Sequence, residues 1–204
     1  MTPAEFVNSL RPGNVVNVSW DPPFWNPLRI VHFFIRWYQK RKWGKDSNYK
    51  DVHTTLYLGD GYQFSVTVPT AVVELIKPIR NATYTVSNLK TAQGEIYKFT
   101  QKDIDIMYRY ISKLTNRSYD YGQLVDILLW ELFPVFEKKK LSIFDLGKKK
   151  KVCSVGVHAT LVYFWRETGK FLPRPLGDQY VEITCPADFV NHDTFEIVNI
   201  AKIF

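Results

Sequence analysis

Cysteine and histidine are the residues of this chain best suited to covalent catalysis at neutral pH, and Cys153 stands out by its position. It opens the segment CSVGVHATLVYFWRET, which predicts a helix that ends at Gly169. Free N–H groups and the dipole at a helix start stabilise a thiolate. Lys148–Lys151 precede the cysteine with only Val152 between, and we expect them to lower the pKa of the thiol further. Cys153 is therefore a candidate nucleophile, and the alternative is a small buried core side chain.

A thiol nucleophile needs a base, and the chain has four histidines. His158 follows Cys153 by five residues on the same predicted helix, roughly 140° around the axis, so it points elsewhere. His32 falls within an aromatic helix, which is typical of a core histidine. His192 is predicted to lie in a turn. His53 begins a predicted strand and is the best candidate base.

His53 also opens the clearest local pattern, a β-hairpin. The runs DVHTTLYL and YQFSVTV flank Gly59-Asp60-Gly61. Alternation favours a register with Leu56 opposite Phe64 and Leu58 opposite Tyr62. This register collects apolar side chains on one face, namely Val52, Leu56, Leu58, Phe64, Val66 and Val68. The other face carries His53, Thr55, Tyr57, Gln63, Ser65 and Thr67. Three of these polar residues are candidate orienters of the imidazole, namely Ser65, Gln63 and Thr67.

The remaining segments predict an α+β chain. Helices are expected over 2–10, 28–42, 70–76, 100–115 and 121–133, with Thr2 and Thr100 as caps. Strands or extended segments are expected over 15–20, 82–87, 179–184 and 194–203. No internal repeat or linker divides the 204 residues, so we predict one domain over 1–204.

The charge pattern favours anionic partners. The formal net charge is +7, and residues 138–151, KKKLSIFDLGKKKK, form a lysine-rich loop with seven lysines in fourteen positions. The loop is either a solvated segment or a binding site for an anionic polymer. No recognised nucleic-acid motif appears, so we do not expect nucleic acid as the partner.

Cysteine count and targeting signals limit the class of protein further. The two cysteines form no disulfide framework and match no zinc spacing, so we expect no metal and no cofactor. The start, MTPAEFVNSL, lacks the basic and apolar regions of a signal peptide. No apolar run is long enough to cross a membrane. These features predict a cytoplasmic or virion-associated protein.

Five short motifs occur in an order that a known family shares. They are LRPGNVV at 10–16, HTTLYLGDG at 53–61, SYDY at 118–121, VCS at 152–154 and TCPADF at 184–189. Together they resemble the circularly permuted NlpC-type papain-like hydrolases, a group that includes YiiX-like proteins and lecithin:retinol acyltransferase. The resemblance covers most of the chain, and the histidine precedes the cysteine, which is the permuted order.

The resemblance implies roles for particular residues. Cys153 would be the nucleophile, His53 the base and Ser65, twelve residues after the histidine, the orienting group. The family more often has Glu, His, Gln or Asn at that third position, so Gln63 or Thr67 would share the task. The backbone N–H of Cys153 would form an oxyanion hole. Tyr119 or Tyr121 is the candidate second donor or substrate-lining residue. The chain also departs from the family at Thr55, often glycine, and at Val155, often acidic.

The implied fold is papain-like, with a central antiparallel sheet or partial barrel packed against helices. The implied function is a thiol-dependent acyl hydrolase. We expect a peptidase or amidase that acts on cell-wall peptide, as in a phage tail-associated component of a larger protein assembly. Lys138–Lys151 would then bind anionic wall polymer. One alternative is a lipid acyltransferase or esterase that docks on membrane through aromatics such as Trp37, Trp43 and Phe144. The other is a non-catalytic papain-fold module for binding or assembly.

Overall fold

The computed structural model of the chain describes residues 1–26, 28–67, 70–115, 153–169, 172–179, 181 and 184–204. The helices in these ranges are α1 (Pro3–Ser9), α2 (Leu28–Trp43), α3 (Gln101–Leu114), α4 (Cys153–Glu167) and α5 (Asp188–Asn191). The strands are β1 (Val15–Ser19), β2 (His53–Gly59), β3 (Tyr62–Val66), β4 (Ala71–Leu75), β5 (Thr83–Leu89) and β6 (Phe195–Lys202). The predicted helix over 121–133, the lysine-rich loop at 138–151, Tyr119 and Tyr121 lie outside the described residues.

The six strands form one antiparallel sheet in the order β4-β3-β2-β1-β5-β6. Strand β2, which begins with His53, is therefore a central strand between β3 and β1. The predicted α+β class with an antiparallel sheet packed against helices is confirmed.

The sheet is covered on both faces. On one face, Leu56, Leu58 and Phe64 pack in a core with residues of α3 and α4. On the other face, Val16, Val18 and related side chains pack around Phe6 of α1. The alternation of side chains along the strands explains this division, because neighbouring residues of a strand point to opposite faces. The body of α4 thus lies on the face that the sequence marks as apolar.

Two helices begin where the sequence predicts a cap. Thr2 and Thr100 each accept a hydrogen bond from the N–H three residues on, and Glu5 and Asp103 complete capping boxes. Both boxes satisfy N–H groups that have no partner inside the helix. The α2 helix likewise matches the prediction, although its first turn begins at Leu28 with no acidic residue.

Two local predictions were wrong. Residues 70–76 were expected to be helical, but Ala71–Leu75 form strand β4, whose β-branched Val72 pairs with Ser65 and Val73 with Phe64. In the hairpin, Leu56 does lie opposite Phe64, but Tyr62 pairs with Gly59 and not with Leu58, because the register shifts between Tyr57 and Gly59. A bulge of this kind inserts one extra residue in a strand, which alternation alone does not reveal.

The segment 179–184 also differs from the expectation of a late strand. Gln179, Val181 and Thr184, its described residues, belong to no strand. The late strand over 194–203 is confirmed as β6.

Candidate functional site

The imidazole of His53 is held by a side chain on the neighbouring strand. Its Nε2 lies 3.1 Å from Oγ of Ser65, twelve residues further along the chain. Ser65 pairs with Thr55 across the hairpin, so the contact runs diagonally between β2 and β3, as the sequence predicts. Ser65 is fully buried, whereas His53 is partly exposed. Strand pairing therefore fixes the orientation of the ring.

The environment of His53 favours the neutral imidazole. Burial lowers its pKa from the ordinary 6.5 to about 4, and the nearby His32 adds to the effect when it is charged. At physiological pH the imidazole is therefore uncharged and has a free lone pair, and a pKa of about 4 makes it a weak base. In the part of the chain that the structure describes, Ser65 is the hydrogen-bond partner of the His53 ring. The second nitrogen, Nδ1, is thus available for another partner.

Cys153 lies at the first residue of α4 and is 5% exposed. Burial raises the pKa of its thiol above the ordinary value. The nearby backbone N–H groups of Thr54 and Ser154, and that of Cys153 itself, act in the opposite direction because they favour the thiolate. The expected lowering of the thiol pKa is thus outweighed by desolvation among the described residues. Lys148–Lys151 lie outside them.

Thr54 links the two candidate groups, because it follows His53 directly and its N–H points to the thiol of Cys153. Alternation places His53 on the face of Thr55, while the body of α4 packs on the face of Leu56. Cys153 belongs to the cluster on the Leu56 face, and Thr54, at the start of β2, lies between the thiol and His53. No hydrogen bond between the Cys153 thiol and the His53 ring occurs among the described contacts. Their catalytic pairing stays a prediction.

The other predicted orienters have different surroundings. Gln63 and Thr67 line the same cavity as His53, but neither donates to its ring in the described structure. Ser65 is thus the predicted orienter that the structure brings to the histidine.

The remaining histidines have partners of their own. His158 is fully buried, with Nδ1 2.7 Å from Thr184 Oγ1 and Nε2 3.0 Å from the carbonyl of Pro175. His192 lies in a turn with Nδ1 2.9 Å from Thr194 Oγ1. Both therefore hold loops in place.

A cavity of about 500 Å³ adjoins His53. Its polar lining includes His53, Ser65 and the charged residues Glu74 and Lys77, whereas most of its wall area is apolar. The apolar lining includes side chains from four parts of the fold, namely Val18, Trp20, Val31, Ile35, Val52, Leu75, Ile76 and Ile79. Cys153 does not line this cavity in the described structure. The shape and lining are typical of a site for an apolar small molecule or acyl chain.

Two buried polar groups, Asp51 and His32, have unpaired atoms that the sequence does not predict. Asp51 is 1% exposed, its Oδ2 has no hydrogen-bond partner in the described structure, and burial raises its pKa to about 7. His32 lines the cavity, is 5% exposed and leaves Nδ1 without a partner there. Asp51 precedes a predicted strand, where an acid is normally solvated, so no sequence signal identifies it. His32 was predicted to be a satisfied core histidine, and the structure leaves one of its nitrogens unsatisfied.

Comparison with known proteins gives little further guidance. No family profile matches the chain. An 80-residue segment is 32% identical to part of the osmoprotective compounds uptake permease protein GgtD of Synechocystis sp.. The match covers 39% of this chain and 22% of that permease. None of the described helices combines the length and apolar character needed to cross a membrane.

Proposed function

We propose that the chain is a thiol-dependent acyl hydrolase with Cys153 as nucleophile and His53 as base. Two observations support it: the thiol lies at the start of α4, near the N–H of Thr54, and the residue before Thr54 is a neutral histidine held by Ser65. The proton of the thiol must be removed as the sulfur attacks, and the uncharged imidazole has the lone pair that would accept it.

The proposed reaction has two steps. The Cys153 sulfur bonds to the substrate carbonyl carbon while its proton passes to Nδ1 of His53, and Ser65 keeps the ring oriented through Nε2. The tetrahedral oxyanion accepts a hydrogen bond from the backbone N–H of Cys153. His53 then protonates the leaving amine or alcohol, which leaves a thioester. Water activated by the same histidine hydrolyses the thioester and restores the thiol.

For the substrate we propose a peptide amide bond, as in cell-wall peptide. The net charge of +7 supports an anionic polymer around the scissile bond. Tyr119, Tyr121 and Lys138–Lys151 stay candidate substrate contacts, outside the described residues.

Selective alkylation tests the proposed pair. The protein is treated with iodoacetamide near pH 6, and the adducts are mapped by peptide mass spectrometry. Cys185 is the internal control, because it is also 5% exposed and its thiol pKa is raised strongly by burial and by Asp188. Labelling of Cys153 in preference to Cys185, reduced about tenfold in His53→Ala, supports the pair. Equal labelling of both cysteines, and only after denaturation, would favour a non-catalytic module.

A lipid acyl ester is the second candidate substrate, and the apolar cavity beside His53 favours it. Turnover of p-nitrophenyl esters with short and medium acyl chains distinguishes the lipid ester from the peptide amide as the substrate. A preference for the longer chain that disappears in Val31→Trp, a substitution that fills the cavity, supports the lipid ester. Hydrolysis of a peptide p-nitroanilide without any acyl-chain preference supports the amidase. Cys153→Ala should abolish either activity.

A further inference from the structure

Helix α2 exposes an apolar stripe. Ile30 and Phe33 are each 63% exposed and Phe34 is 38% exposed. Together with the half-buried Trp37 they follow the spacing i, i+3, i+4 and i+7, so they share one side of the helix. We call Ile30, Phe33, Phe34 and Trp37 the outer stripe of α2. Such a stripe on a water-facing helix normally marks an interaction surface.

The turn before α2 extends this stripe. Phe24 and Trp25 are 83% and 84% exposed, among the most exposed large apolar side chains in the described structure. The guanidinium of Arg29 lies 5.5 Å from the centre of the Phe24 ring, which connects the turn to the first turn of the helix. Two large aromatics held at the end of an apolar stripe are typical of residues at a membrane–water interface.

The charge around the stripe has one sign. Residues 24–45 contain six lysines and arginines and no aspartate or glutamate. Two of these cations are bound within the fold, Arg36 to Asp21 and Lys42 to Asp188. Arg29 and Lys40 are exposed, and their positions in the sequence place them beside Phe33 on the rim of the outer stripe. This arrangement complements a negatively charged, apolar surface.

The opposite side of the same helix faces the cavity. Leu28, Val31 and Ile35 belong to the cavity wall that reaches His53, and they lie about half a turn away from the outer stripe. One helix thus separates the cavity from the exposed aromatics. An apolar molecule leaving a lipid layer would have a short path past α2 to the cavity.

We propose that the outer stripe of α2, with Phe24 and Trp25, docks on an anionic lipid surface with the helix axis in the plane of the interface. Apolar side chains enter the acyl boundary, and Arg29 and Lys40 contact the lipid phosphates. The helix lies on the membrane, consistent with its basic rim. Docking does not require the proposed activity, although it would bring a lipid substrate to the cavity beside His53.

Vesicle binding tests this proposal. The full-length protein is sedimented with vesicles of phosphatidylcholine alone and of phosphatidylcholine mixed with phosphatidylglycerol. We expect binding to the mixed vesicles, weakened by added salt, and a blue shift of tryptophan fluorescence that is smaller in Trp25→Ser. Binding of the wild type alone is not support, because Lys138–Lys151 can attract any anionic surface.

The decisive comparison uses two matched isoleucines. Ile30 on α2 is 63% exposed, and Ile200 on strand β6 is 61% exposed. We expect Ile30→Ser, and likewise Phe33→Ser, to weaken vesicle binding about tenfold while Ile200→Ser leaves it unchanged. Arg29→Gln should reduce it, whereas Lys98→Gln, at an exposed lysine away from α2, should not.

Three outcomes overturn the proposal. They are equal binding of the Ile30→Ser and Ile200→Ser proteins, equal binding to neutral and anionic vesicles, and loss of self-association in Ile30→Ser without any vesicle binding. The last result would assign the stripe to a second copy of the chain. Cys153→Ala should bind vesicles like the wild type, so failure of the proposed chemistry and failure of docking are separate results.

Discussion

His53 and Ser65 lie on adjacent strands with Nε2 and Oγ 3.1 Å apart. The contact spans a hairpin whose register is fixed by Leu56 opposite Phe64, so the strands and not the local sequence bring the two side chains together. Because Ser65 is fully buried, its hydroxyl has little freedom to find another partner. This relationship determines which nitrogen of the ring can act as a base.

We predict that neutral His53 carries its proton on Nε2 and donates it to Ser65. The proposed base is Nδ1, which must be unprotonated before it can accept the thiol proton. Ring nitrogen NMR on selectively labelled protein near pH 7 should show a protonated Nε2. In Ser65→Ala the acceptor is lost, and we expect a mixture of tautomers and about a tenfold fall in kcat with KM little changed. A protonated Nδ1 in the wild type would contradict this assignment.

The depressed pKa of His53 predicts a loss of stability in acid. The folded-state pKa is about 4 and the ordinary value is 6.5, so between these values the unfolded chain binds the extra proton. The free energy of unfolding should therefore fall by about 2 kcal/mol from pH 6.5 to pH 4 through this group. Urea unfolding of the wild type and His53→Gln across this range measures the contribution, and the variant should show the smaller loss. Parallel pH profiles would contradict it.

Asp51 should act in the opposite direction. Its pKa is raised from 3.8 to about 7, so the folded chain holds a proton that the unfolded chain releases over this window. The stability that the neutral carboxyl contributes is fully present below the ordinary pKa of 3.8 and is lost as the pH rises through about 7. From about pH 5 to about pH 8, the free energy of unfolding of Asp51→Asn should rise by about 2 kcal/mol relative to that of the wild type. Urea unfolding measures this difference in stability between the variant and the wild type. If the difference is the same at both pH values, the carboxylate has a solvated alternative position.

Periodicity and caps predicted most of the described elements, and long-range contacts account for what they missed. Helices α1 and α3 were identifiable because Thr2 and Thr100 supply local capping signals. Strand β4 was mistaken for a helix because a short apolar run has no decisive period, and its pairing with β3 is a tertiary effect. The same limit applies to the site. Alternation placed His53 and Ser65 on one face, but the burial that raises the pKa of Cys153 depends on how α4 packs.

Gly156 shows how closely α4 approaches the sheet. A Cβ atom at this position would lie 2.6 Å from Cγ2 of Val66 and 3.5 Å from Phe64. Alanine has the higher helix propensity, by about 1 kcal/mol, yet we expect Gly156→Ala to lower the free energy of unfolding by about 1–3 kcal/mol because the helix must move. Urea unfolding should show this loss. Val66→Ala opens space, so the double variant should be more stable than the sum of the two single effects predicts. Strict additivity would mean that the two residues do not compete for the space.

Asp188 offers the largest expected effect on stability among the described residues. Its fully buried carboxylate accepts hydrogen bonds from Lys42 at 2.9 Å, Trp43 at 2.7 Å, Gln179 at 2.6 Å and the N–H of Cys185 at 2.8 Å. The first two donors belong to α2, so the carboxylate fastens that helix to the first residue of α5. Replacing it by Asn leaves the Lys42 ammonium with the amide oxygen of Gln179 but without a counter-charge, which should cost about 3–5 kcal/mol.

Asp178 is the matched control for this prediction, because it is also paired with a basic side chain, Arg174, at 3.2 Å but is fully exposed. Exposed pairs contribute little, so Asp178→Asn should not shift the urea midpoint measurably. Asp188→Asn should shift it strongly with an unchanged m-value. Equal midpoints for the two variants would mean that Lys42 and Trp43 find water or other acceptors when the carboxylate is lost. The attachment of α2 would then depend on its apolar contacts and on the hydrogen bond between Gln39 and the N–H of Ala187.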